Sequence, residues 1–123
     1  MILKKTRRSI GFFNCLYSYV VRKVNLKNSI PKEFSLSQNY PNPFNSTTLI
    51  QYGLKENVNV KITVYDILGR VVKSLVNDYQ DAGFRSVTWD GTDNSGSSVA
   101  TGLYIYKIEA GDFVSAKKML MIK

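Results

Sequence analysis

From Val58 to Tyr65 the chain alternates without a break, Val58, Val60, Ile62 and Val64 on one side and Asn59, Lys61, Thr63 and Tyr65 on the other. A period of two places these two sets on opposite faces of a β-strand. One face is apolar and the other half polar, the pattern of a sandwich strand with a core side and a wet side. This constrains the rest of the chain, because every neighbouring segment must supply either a paired strand or a turn.

The neighbours comply. Ile50, Tyr52 and Leu54 alternate with Leu49, Gln51 and Gly53, and Lys55 to Asn57 makes a turn. Asp66-Ile-Leu-Gly69 is a second turn, in which the aspartate can cap backbone amides. Arg70 to Leu75 reads as a strand, Asn77 to Ala82 as a polar loop, and Gly83 to Trp89 as another strand with Val87 and Trp89 on one face. After the loop Asp90 to Gly96 come Gly102 to Ile108 and Phe113 to Lys123, a hairpin closed by Glu109-Ala-Gly-Asp112, whose Gly111 takes positive φ at little steric cost. No helical cap followed by a period of 3.6 occurs after residue 34. The expected fold is all-β: a small antiparallel Ig-like β-sandwich of about six to seven strands over residues 31–123.

The formal charge of +8 would point to a nucleic-acid partner if it were spread over that sandwich. It is not. Residues 1 to 33 hold Lys4, Lys5, Arg7, Arg8, Arg22, Lys23, Lys27 and Lys32 against Glu33 alone, while the remaining ninety residues carry nine basic and eight acidic side chains. The sandwich is close to neutral and carries no footprint for polyanions. Residues 1–30 run basic, then apolar from Ile10 to Val21, then basic again. That order reads either as an export signal or as a poorly ordered basic tail; the apolar run is shorter than the roughly twenty residues a spanning helix needs.

Histidine is absent and Cys15 is the single cysteine. Histidine-based triads, Cys/His zinc sites and intrachain disulfides are thereby excluded. In the loop Asp90 to Gly96, the sixth residue counted from Asp90 is Ser95 and the twelfth Thr101, so the EF-hand spacing fails. Asx turns and two glycines account for the loop, with a looser calcium site left open. Asp66, Asp78, Asp81, Asp90 and Asp93 all sit where turns favour aspartate, and no spacing selects a pair for acid–base chemistry. Trp89, Tyr104 and Tyr106 could form a sugar-stacking platform, but core packing explains them as well or better. The residues are expected to form a non-catalytic domain with no cofactor and no small-molecule substrate, and they assign no metal ligands.

All three prolines, Pro31, Pro41 and Pro43, fall within thirteen residues, which makes this stretch extended, with Phe34, Leu36, Tyr40 and Phe44 spaced along it as anchors. Four segments then stand in a telling order: Phe34 to Asn45, containing Asn39-Tyr-Pro-Asn-Pro-Phe44; Val64 to Val72; Trp89-Asp-Gly91 with Gly102-Leu-Tyr-Ile-Tyr106; and Lys117 to Lys123. Together they resemble the type A C-terminal sorting domain of the type IX secretion system of Bacteroidetes-type bacteria. The Trp-Asp-Gly to Gly-Leu-Tyr stretch also resembles the Ig-like domain of flagellar hook-capping proteins. The first resemblance implies a transport address at the end of a larger secreted protein. The domain would be read by the outer-membrane translocon and commonly removed by a surface sortase. It implies a monomer that is exported, passes through the periplasm and reaches the cell surface or the medium. The residues expected to face the translocon are Gly102, Tyr104, Lys117, Lys118, Met119, Leu120, Met121, Ile122 and Lys123, on an edge hairpin. A non-catalytic adhesion or glycan-binding module is the alternative.

Overall fold

The computed structural model describes residues 30–123. The basic leader, with its export-signal reading and Cys15, lies outside the described residues. Eight strands follow one another: β1 (Ser35–Leu36), β2 (Phe44–Asn45), β3 (Thr48–Leu54), β4 (Val58–Asp66), β5 (Val71–Gln80), β6 (Gly83–Trp89), β7 (Gly102–Ala110) and β8 (Phe113–Ile122). They form a three-stranded sheet in the order β1-β3-β6 and a five-stranded sheet in the order β2-β8-β7-β4-β5. This is an all-β, Ig-like sandwich. Its six longer strands are those the alternation predicts. The additional two, of two residues each, lie in the proline segment, and β2 pairs with β8 in parallel.

β4 is held on both edges, by β5 and by β7, with Val60, Ile62 and Val64 turned into the core. Ile50, Tyr52, Leu54 and Trp89 meet them from the other sheet. Tyr104, Tyr106 and Ile108 of β7 complete the apolar layer. Fully burying one such side chain contributes about 1.5–3 kcal/mol, so this layer supplies most of the drive for the two sheets to close.

One segment differs from the sequence reading. Asn77 to Gln80 is strand, with Asn77 opposite Lys61 and Gln80 opposite Val58, and only Asp81 and Ala82 remain as a connection. The first half of β4 needs a hydrogen-bonding partner, and an edge strand with water on one side accepts polar residues. The hairpin is as expected. β7 and β8 pair from Gly102↔Met121 to Ala110↔Phe113, and Gly111, at φ 60, fills the first position of a two-residue turn, where type II′ geometry favours glycine.

Candidate functional site

The site assembles where the proline segment meets the last strand. Phe34 stacks on Phe113 with ring centroids 5.6 Å apart. Further along, Gln38 Nε2 donates to Lys118 O at 2.7 Å and Leu120 N donates to Asn42 Oδ1 at 3.0 Å. Phe44 and Asn45 then pair with Met121 and Ile122. The proline segment therefore runs alongside β8 in the same direction. The two groups of residues singled out in the sequence form one surface, although about eighty positions separate them.

The loop that makes these contacts is knitted internally. Asn39 is buried; its Nδ2 donates to Thr48 Oγ1 at 2.9 Å and to Pro41 O at 3.1 Å. Thr48 Oγ1 in turn donates to Pro41 O at 2.9 Å, and Tyr40 and Leu49 exchange backbone hydrogen bonds. A buried carboxamide and hydroxyl are costly unless paired, which is why these residues satisfy one another. Tyr106 reaches from β7 to the same segment, donating its hydroxyl to Ser37 O at 2.6 Å. Phe44 is 1% exposed and packs on Trp89, which meets Tyr104 edge-on.

The Trp-Asp-Gly turn serves the same corner. Trp89 Nε1 donates to Thr92 O at 2.9 Å, and Asp90 Oδ1 accepts from Thr92 N and Oγ1. Gly91 has φ 77, a conformation that favours glycine, and the end of the Met121 side chain lies over it, 2.8 Å from where a Cβ would stand.

The hairpin residues divide by face. Met119 and Met121 are sealed in the core, at 0% and 4% exposure, and Tyr104 is buried with its hydroxyl on Ala100 O. Lys118, Leu120 and Ile122 point outward, Lys123 is exposed beyond the strand, and Lys117 and Gly102 are half-buried. The methionine side chains are therefore not offered to a partner while the domain is folded. Nor is β8 a free edge along its length, since Gln38, Asn42 and β2 occupy its outer side from Lys118 to Ile122. Of the proline motif, Tyr40, Pro41, Asn42 and Pro43 are exposed while Asn39 and Phe44 are inside. Sequence reasoning missed Gln38 and Thr48. Gln38 lies in a segment with no strand or helical period, and Thr48 is a buried polar residue at the start of the alternating β3.

The turns use their carboxylates locally. Asp66 Oδ1 accepts from Leu68 N and Arg70 N, and its other oxygen meets Arg70 Nε at 2.8 Å. Asp93 Oδ1 accepts from Ser95 N, Ser95 Oγ and Ser97 N. These bonds hold both carboxyls below the ordinary aspartate range, led by the Arg70 amide for Asp66 and the Ser95 hydroxyl for Asp93. Among the described residues no three acidic, thiol or imidazole groups gather as metal ligands would. For the glycan alternative, Phe84 is 65% exposed beside a shallow groove lined by Ser35, Ser37, Gln51 and Ser86. Tyr40 and Tyr79 are also exposed, on other segments of the chain.

Residues 39–112 match the FlgD Ig-like domain family. The chain belongs to this family. The matched residues take the FlgD Ig-like domain from the proline motif through β7, and β8 lies beyond them. No curated protein matches the chain. Among solved structures it is similar to dimeric latent PorU from Porphyromonas gingivalis, with a TM-score of 0.59 and 21% identity over 75% of this chain and 10% of PorU. It is also similar to PorZ of the same organism, an essential surface component of the type IX secretion system, with a TM-score of 0.50 and 17% identity over 73% of this chain and 11% of PorZ. FLGD from P. aeruginosa is 29% identical over 60% of each chain, with a TM-score of 0.50. The chain thus spans about a tenth of the length of PorU and PorZ, and these two likenesses concern the fold.

The tyrosines of this FlgD Ig-like domain predict its behaviour in alkali. Burial pushes the Tyr106 phenol up to about 12, with the Asn39 backbone acting in the opposite sense. Burial also raises Tyr52 and Tyr104. Each group keeps its proton more tightly folded than unfolded, so its contribution is complete below the ordinary value near 10 and is lost as pH climbs through the folded values. Thermal melts are expected to be flat from about pH 7 to about pH 9 and to fall steeply above about pH 10. The fall should be shallower in Tyr106→Phe.

Proposed function

We propose that this chain carries a sorting domain that directs a protein across the outer membrane by the type IX secretion system. Its last strand is presented to the translocon, and a surface sortase removes it after delivery. In this reading the domain is not an enzyme; it is the translocon's cargo label and the sortase's substrate. It acts as a monomer, binds no nucleic acid or small-molecule substrate, and travels through the periplasm to the cell surface or the medium.

The observation that carries the reading is the junction of the proline motif with β8. Here Phe113–Ile122 is strand throughout, its inner side chains fill the core, and its outer side displays Lys118, Leu120 and Ile122. These outward side chains suit recognition by a partner laid along the strand, in which alternate side chains give specificity. The motif resemblance and the fold shared with PorU and PorZ support the same reading.

The test appends the full chain to a periplasm-exported reporter in a type IX-competent host. The reporter is expected at the cell surface. Replacing Lys118, Leu120 and Ile122 together with serine should reduce delivery at least tenfold while the melting temperature holds, because all three point away from the core. Retention of the unmodified fusion in the periplasm overturns the proposal.

A further inference from the structure

In an antiparallel pair, residues alternate between bonding the partner strand and turning their backbone groups away from it. Leu120 N and Lys118 O both bond groups on the side away from β7. The same alternation turns Val114, Ala116 and Ile122 outward. The outer edge of β8 is therefore a row of strand-ready backbone groups, and its C-terminal half is taken by two flexible carboxamide side chains, Gln38 and Asn42, and by the two residues of β2. A side-chain carboxamide copies what a strand backbone offers, since its oxygen accepts and its nitrogen donates. It does so without the chain continuity that makes a real ladder cooperative.

We propose that this edge, from Lys118 to Leu120, is a docking site for an extended acidic segment of a partner chain, and that Gln38 and Asn42 keep it closed in the free protein. The partner's charge follows from the strand: residues 113–123 contain Lys117, Lys118 and Lys123 and no acidic residue. An added strand placed beside them gains by carrying aspartate or glutamate and is repelled if it carries lysine. Closure has a physical purpose. An open edge strand pairs with any extended chain it meets, and folded proteins cover such edges. The loop bearing Asn42 is held by the Asn39, Thr48 and Pro41 bonds, and Gln38 Nε2 also donates to Asn39 Oδ1 at 2.7 Å, so the carboxamides can release Lys118 O and Leu120 N while that network stays in place. This inference rests on the reading that the last strand is recognised, and it adds the class of partner and the residues displaced.

The experiment uses the purified full chain and two synthetic ten-residue peptides, one alternating threonine with glutamate and one alternating threonine with lysine, titrated while amide resonances are followed by NMR. Gln38→Ala with Asn42→Ala removes both caps at exposed positions. The acidic peptide is expected to bind this double variant at least tenfold more tightly than the unmodified chain, to shift the Leu120 amide and to slow its hydrogen exchange. Lys117→Glu with Lys118→Glu in the same background should reverse the preference between the two peptides. Equal affinity for capped and uncapped chains, binding that leaves Leu120 unmoved, or indifference to peptide charge each overturns the inference. The readout is independent of secretion. A chain that binds the peptide as expected but fails to deliver a reporter refutes the sorting role alone.

Discussion

Phe44→Ala is expected to lower the unfolding free energy by about 3–5 kcal/mol, the usual range for emptying a buried aromatic site. The side chain is 1% exposed, its ring lies 5.7 Å from that of Trp89, and its backbone pairs with Met121. Truncation removes the peg by which the proline motif holds the final strand, so the loss falls on the junction of the two. Tyr40→Ala, four residues earlier in the same motif, should change stability by less than about 0.5 kcal/mol, since that ring is 78% exposed. Urea unfolding of the two variants separates an anchor from a surface residue within one short motif. Similar losses in both would mean that the motif's rings act as a unit, against the packing seen here.

The second large effect concerns the methionines. Met119→Ala and Met121→Ala should each cost about 2–5 kcal/mol, because both side chains are enclosed and Met121 also closes over Gly91. Met119→Leu and Met121→Leu keep the volume and should cost less than about 1.5 kcal/mol. The functional consequence is sharper than the energetic one. If the methionines matter only through packing, the leucine variants will be delivered to the cell surface as well as the unmodified chain. The alanine variants will fail in proportion to their lost stability. A leucine variant that melts normally and is not delivered would show that the thioether itself is read, and would require the strand to open during recognition.

How much of this could be read in advance depends on where each residue's partner lies. β4 was legible because its signal is local: four apolar residues at alternate positions can only be a half-buried strand. The hairpin was legible for a related reason, as Gly111 and two β-rich flanks specify the turn and the pairing within one short stretch. Asn77 to Gln80 was not legible, since polar residues on an edge strand look like a loop until Val58 to Lys61 are seen to need them. Met119 and Met121 looked like letters of an address because a terminal strand with lysines on either side gives no sign of which face is covered. Gln38 was passed over because its partner, Lys118 O, lies eighty residues away.

The alternation and turn chemistry of the sequence by themselves determined the class of the fold, the order of its longer strands and the place of its turns other than the one after β5, because those depend on interactions between residues a few positions apart. The absence of histidine likewise set aside histidine-based catalysis without any structure. Only the tertiary structure decided that the proline motif and the final strand are one surface, with Phe44 paired to Met121 and with Gln38 and Asn42 along its edge. The physical reason is that backbone hydrogen bonds in a sheet are indifferent to sequence separation. A strand's edge is satisfied by whichever group the folded chain brings to it, and no local pattern records which group that will be.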